Sequence, residues 1–143
     1  MSYRDALIKQ FSPYTSVIST SGAVVVSPGY PDNVPSTKTQ YTQVFRAPEC
    51  QRAVLKFDDF GIEPRSARHK RCIFSFLEIR SDVSVPEGKI FCGEEIEKGT
   101  AFKSDKSELI LHYMNGDYTK FGKENTHRGY NATFTTEAIP NCS

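Results

Sequence analysis

The feature that most constrains the fold is a period of two. From about residue 20 onward, apolar side chains recur at alternate positions and turn signals interrupt them about every ten residues, the rhythm of an all-β sandwich. "SGAVVVS" reads as a strand closed by the turn "SPGYPDNVP", where Pro28, Gly29, Pro31 and Pro35 forbid regular structure. "YTQVFRA", "RAVLKFDDFGI", "CIFSFLEIR", "KIFCG", "TAFKS", "ELILHYM" and "GYNATFTTE" supply further strands. Alternation predicts that Ala53, Leu55 and Phe57 face one way. It places Ile73, Ser75, Leu77 and Ile79 on one side of their strand, with Cys72, Phe74, Phe76 and Glu78 on the other. In the last strand Tyr130, Ala132 and Phe134 turn inward, leaving Asn131, Thr133 and Thr135 outside. Residues 1–19 read as an N-terminal arm or short helix, 20–138 as one domain and 139–143 as a tail.

The chain has 143 residues, enough for one core. Eighteen Lys plus Arg against 17 Asp plus Glu leave a net charge of +1, which provides no global field for nucleic acid or an anionic membrane. No apolar run approaches the roughly 20 residues of a membrane-spanning helix, so no membrane insertion by this chain is expected. "MSYRDALIKQF" lacks the uncharged core of a secretory signal, so the chain is either cytosolic or has lost a signal by cleavage. The acceptor triplets at Asn131 and Asn141 favour the second reading, a secreted protein or ectodomain carrying glycans at those positions. Cys50, Cys72, Cys92 and Cys142 form no C-x-x-C pair, which points to disulfides rather than zinc; spacing does not choose among their three pairings.

Catalytic chemistry finds no foothold. His69, His112 and His127 lack metal-ligand spacing, and no nucleophile elbow or phosphate loop occurs. Cys92 reads as a disulfide cysteine rather than a nucleophile. Asp58 and Asp59, adjacent on a strand, are expected on opposite faces, one solvated and one capping a turn. The basic loop Arg65, Arg68, His69, Lys70 and Arg71 has three readings: a contact for a sulfated glycan such as heparin, a furin-type cleavage sequence, or a solvated loop.

Taken together, "SGAVVVSPGYPDNVP", "FRAPECQRAVLKFDDFGIEP", "CIFSFLEIR", "FCGEE" and "ELILHYM…GYNATF" resemble, in order and spacing, a CUB domain, over about residues 20–138. That resemblance implies a two-sheet antiparallel sandwich of jelly-roll type and an extracellular binding module without an active site. Recognition of a protein partner by loops at one end is then expected, with a glycan bound by the basic loop, or a structural role in a larger receptor or protease, as the alternatives.

The resemblance also implies a Cys72–Cys92 bridge. The family's other pair is missing, and Tyr41 stands at one of its positions. Cys50 and Cys142 remain, expected to join each other, with a free thiol or a bond to another chain as alternatives. No cofactor is required, but many CUB domains hold Ca²⁺ on acids that correspond here to Glu63 and Asp117, with Asn115 as a substitute for the latter. The middle ligand of that set, an aspartate, is replaced by Ser75, which removes a full charge from the cage. Two long loops flank this place, so Arg65, Arg68, His69, Lys70, Arg71, Asp117, Tyr118 and Lys120 are the candidate partner surface.

Overall fold

The computed structural model describes residues 15–142. Among the described residues nine strands form two sheets. One runs in the order β1 (Thr15–Ile18), β3 (Thr39–Arg46), β8 (Glu108–Asn115), β5 (Ser75–Arg80), β6 (Lys89–Phe91). The other runs β2 (Val24–Val26), β9 (Gly129–Ala138), β4 (Gln51–Gly61), β7 (Ala101–Lys103). Every pairing is antiparallel except β1 with β3. Residues 1–14 of the expected arm lie outside the described residues, and 15–18 are neither arm nor helix: they add a parallel edge strand, Val17 beside Val44. No helix among the described residues is long and apolar enough to cross a membrane.

Alternation does what it predicts in the central strands. Leu55, Phe57, Ala132 and Phe134 of one sheet meet Phe45, Leu77, Leu109 and Leu111 of the other, all fully buried. Phe45 and Phe134 span the two layers with ring centroids 5.5 Å apart. Each Leu or Phe among them contributes about 1.5–3 kcal/mol on leaving water, and this burial holds the sheets together. Tyr41, at the position of the family's missing cysteine, packs its ring 5.4 Å from Tyr113 and hydrogen-bonds its hydroxyl to that of Tyr130. An aromatic contact between the sheets thus stands where, as expected from the sequence, the disulfide that the resemblance would place there is missing. Burial raises the Tyr41 hydroxyl far above its ordinary pKa, so the contact stays neutral.

Two local departures from ideal strands matter. The β4–β9 register slips between Phe57 and Asp59, leaving Asp58 as a bulge residue. Both acids therefore work on the outer face: Asp58 accepts from Thr133 Oγ1, and Asp59 is held by Tyr30 and Arg128. Neither is the free or turn-capping acid that simple alternation suggested. The second departure is at the start of β5, which begins only at Ser75; Ile73 stands outside the strand and is exposed rather than sharing the inner face with Leu77 and Ile79. At the opposite end Cys50–Cys142 staples the tail to the turn before β4, and the Ile139 amide donates to Cys50 O.

Candidate functional site

The ends of β4 and β8 and the starts of β5 and β9 meet at one end of the sandwich, where the loops 27–38, 62–74 and 116–128 gather. Backbone links set them. Ile62 N–H donates to Gly93 O and Gly93 N–H to Glu63 O, while Tyr118 N–H reaches Ser36 O and Val34 N–H reaches His127 O. Gly129 has φ +90°, and a Cβ there would fall 1.8 Å from Ser27 Oγ, so only glycine allows β9 to start against the "SPGYP" turn. Ser27 Oγ in turn accepts the Tyr130 amide.

At the centre lies a buried network of neutral groups. Ser75 Oγ donates to Asn115 Oδ1 at 2.9 Å, and Asn125 Nδ2 donates to the same oxygen at 3.1 Å. Asn115 Nδ2 donates to the carbonyls of Pro35 and Gly116, and the Asn125 amide to Ser36 Oγ. Such bonds contribute about 1 kcal/mol each and, since they tie the strand ends at Ser75 and Asn115 to the loops 27–38 and 116–128, they fix how those loops sit together. Beside the network His127 Nε2 lies 3.1 Å from Glu63 Oε2. Burial, and then the Glu63 carboxylate, push the nearby Tyr118 hydroxyl above its ordinary pKa.

The predicted surface residues divide into those already engaged and those left open. Arg65 Nε donates to Glu95 Oε2 at 2.6 Å and its Nη2 to Ile90 O, so it anchors its own loop. Cys72–Cys92 holds the end of that loop. The Asp117 carboxylate caps the single turn of 3₁₀ helix over Tyr118–Phe121, accepting from the amide and hydroxyl of Thr119, and these hydrogen bonds lower its pKa. Tyr118 is buried, contrary to its place on the expected surface, because its ring packs 4.6 Å from Phe74. Arg68, His69, Lys70, Arg71 and Lys120 are exposed.

On the rim, Arg128 grips Asp59 through Nε at 2.8 Å and Nη2 at 2.7 Å, and reaches Phe60 O and Glu94. Tyr30 OH donates to Asp59 Oδ2, the oxygen that Arg128 Nε also reaches, at 2.9 Å. Hydrogen bonding to Arg128 lowers the Asp59 pKa. Gly61 leaves the space for this guanidinium: a Cβ there would come within 2.5 Å of it. Sequence reasoning passed over Asn125, Arg128 and Phe121, since none carries a local motif and each acquires its role from contacts across loops.

With two four- and five-stranded sheets packed face to face and loops gathered at one end, the chain is an all-β sandwich module. Its fold is that of a CUB domain. It is 30% identical over 125 residues to human and mouse Tolloid-like protein 2 and 26% identical over 131 residues to rat Cubilin, matching 84% and 90% of the chain respectively. The chain spans 11% and 3% of the length of those relatives. No family model matches it. Among solved structures it superposes on the extracellular region of zebrafish Gpr126/Adgrg6 with a TM-score of 0.69, at 19% identity, over 90% of this chain and 15% of that one. On the CUB1-EGF-CUB2 domains of rat MASP-1 the TM-score is 0.67 at 20% identity, covering 86% and 42%. On the Ca²⁺-bound CUB2 domain of MASP-1 it is 0.62 at 19% identity, covering 83% and 96%.

That Ca²⁺-bound relative makes the donor set of this chain worth weighing. Calcium takes roughly six to eight oxygens, several of them carboxylates turned toward one point. Here the Ser75 and Asn115 oxygens are used on each other, Glu63 faces His127, and Asp117 is turned onto its own helix. Among the described residues the one group of three His, Cys, Asp or Glu side chains with converging ligand atoms is Cys72, Cys92 and Glu95, whose sulfurs are bridged. In this arrangement the carboxylates do not converge on one point to fit Ca²⁺, and the buried neutral network joins the loops there.

Proposed function

We propose that this chain is an extracellular, non-catalytic module that binds a protein partner through the loop end carrying residues 62–74 and 116–128. The observation that carries this reading is an exposed apolar surface, Ile73 and Phe121 on either side of Phe74, on loops held by a disulfide and a buried network. Exposed apolar side chains gathered around one ring are the kind of patch that marks an interaction surface. Two disulfides and exposed Asn141 suit an oxidising, glycosylating compartment. The same holds for Asn131, which lies half-buried on the outer face of β9. A sulfated glycan is the second reading, supported by the exposed Arg68, Lys70 and Arg71, which have no ion-pair partner among the described residues.

The test is a screen of the multimerised chain against an array of cell-surface and secreted ectodomains. Binding lost in Phe121→Ser and kept in Lys106→Glu, on the β7–β8 turn at the far end, supports the reading. Binding that survives Phe121→Ser and Ile73→Ser but fails with Lys106→Glu places the partner elsewhere.

A further inference from the structure

The position of Phe74 suggests what kind of partner the loop end takes. Phe74 leaves the strand line before β5 and lays its ring edge-on against Tyr118 at 4.6 Å and Phe121 at 5.9 Å. Gly116 makes this possible, since a Cβ there would come within 2.8 Å of the Phe74 ring. The two loops are thereby joined into one surface. Its apolar part is open: Phe121 is 66% exposed and Ile73 54%. Pro64, Ile73 and Phe74, with Glu63, Arg65 and Ser66, line a cleft of about 440 Å³, room for one side chain.

The charge around that floor is one-sided. The acids at this end are largely engaged, Glu63 with His127, Glu95 with Arg65 and Asp117 with the Thr119 amide. Arg68, Lys70, Arg71, Lys120 and Lys123 are exposed and have no ion-pair partner among the described residues. Glu124, and Asp32 on the loop 27–38, are the exposed acids at this end with no ion-pair partner among the described residues. A surface with an apolar centre and a cationic rim matches, in anchor and charge, a ligand of the reverse pattern.

Resting on the reading that this loop end is the partner surface, we infer that it takes a short acidic segment of a protein, seating one apolar side chain against Ile73, Phe74 and Phe121. The segment's carboxylates lie over Arg68, Lys70, Arg71 and Lys120. A sulfated glycan would use the cations but leave the apolar floor uncovered, because counterion release needs only charge.

The experiment measures binding of fluorescent synthetic peptides, several glutamates around one leucine or phenylalanine, to the full chain by polarisation. Companion peptides carry lysine for glutamate, or serine for the apolar residue, and heparin is assayed in parallel. The glutamate peptides with an apolar residue are expected to bind, and both companions to bind at least about tenfold more weakly. Ile73→Ser with Phe121→Ser, and separately Lys70→Glu with Arg71→Glu, are each expected to weaken the peptide by about tenfold or more, the second also flattening its salt dependence. All four substitutions are at exposed positions, and unchanged thermal midpoints establish that the variants fold. No binding by any glutamate peptide overturns the inference. So does heparin binding that outcompetes the peptides and ignores Ile73→Ser and Phe121→Ser. An array partner lost with Phe121→Ser but indifferent to Lys70→Glu and Arg71→Glu overturns the acidic chemistry while leaving the loop-end reading in place.

Discussion

The Arg128–Asp59 pair gives the sharpest energetic prediction. Asp59 sits one residue past the β4 bulge, and its carboxylate receives Nε and Nη2 of Arg128 together with Tyr30 OH, at 2.7 to 2.9 Å. A hydrogen bond to a charged group contributes about 1.5–3 kcal/mol when protected from water. The Asp59 and Arg128 side chains are 28% and 41% exposed, so screening reduces the coupling of the whole bidentate contact to about 1–1.5 kcal/mol. Asp59→Asn and Arg128→Met should each cost about 1.5–2 kcal/mol in urea unfolding, and the double variant should cost less than their sum by that coupling. The pH dependence follows from the lowered Asp59 pKa. Its contribution is complete above the unfolded value of 3.8 and is lost as pH falls through the lower folded value. Coupling should therefore be constant from neutral pH to about pH 5 and shrink in acid below about 4. A coupling under about 0.3 kcal/mol at neutral pH would refute the view that this rim contact, rather than the bulge backbone alone, holds β9 against β4.

Four further outcomes follow from the same structure. Replacing Cys50 and Cys142 together by alanine opens a loop with a sequence separation of 92, and should cost about 4 kcal/mol of unfolding free energy, measured by denaturant titration. Burial alone would raise the Glu78 carboxyl, but the His112 ring 3.6 Å away and hydrogen bonds from the Gly88 amide and Arg80 outweigh it and hold it at about 2. Its stabilisation is present above 4.5 and lost as pH falls toward about 2, so acid unfolding curves of Glu78→Gln should be flatter than those of the parent in that window. Gly129→Ala should unfold or strongly destabilise the domain, several kcal/mol by thermal melt, because its methyl group collides with Ser27 at φ +90°. A melt with millimolar Ca²⁺ against chelator should show no change in midpoint, since an ion that bound only the folded chain would raise it.

The strands were legible in the chain because the physics that makes them is local. A period of two sorts side chains to opposite faces whatever lies opposite, so Leu55, Phe57, Ala132 and Phe134 could be placed in a core without knowing what they touch. The same rule failed where the backbone leaves ideal pleating. At Asp58 a bulge swings the following acid to the side of its neighbour, and at Ile73 the strand has not yet begun. Strand β1 was missed because an edge strand paired on one side needs little alternation of its own.

The site was legible in part. Ser75, Glu63 and Asp117 could be named from the resemblance to a CUB domain and the basic loop from its charge, and all lie at one end of the sandwich. What each one does could not be read, because it depends on partners distant in the chain: Asn115 for Ser75, 40 residues away, and His127 for Glu63, 64 away. Sequence alone determined the sandwich and the type of its strands, since alternation and turn chemistry act over a few residues. Only the tertiary structure decided that Asp117 caps a helix, that neutral amides knit the loops, and that Phe74 draws two of them into one exposed surface. Those outcomes depend on which loops the sheet register brings within hydrogen-bonding distance, and no window of the chain contains that information.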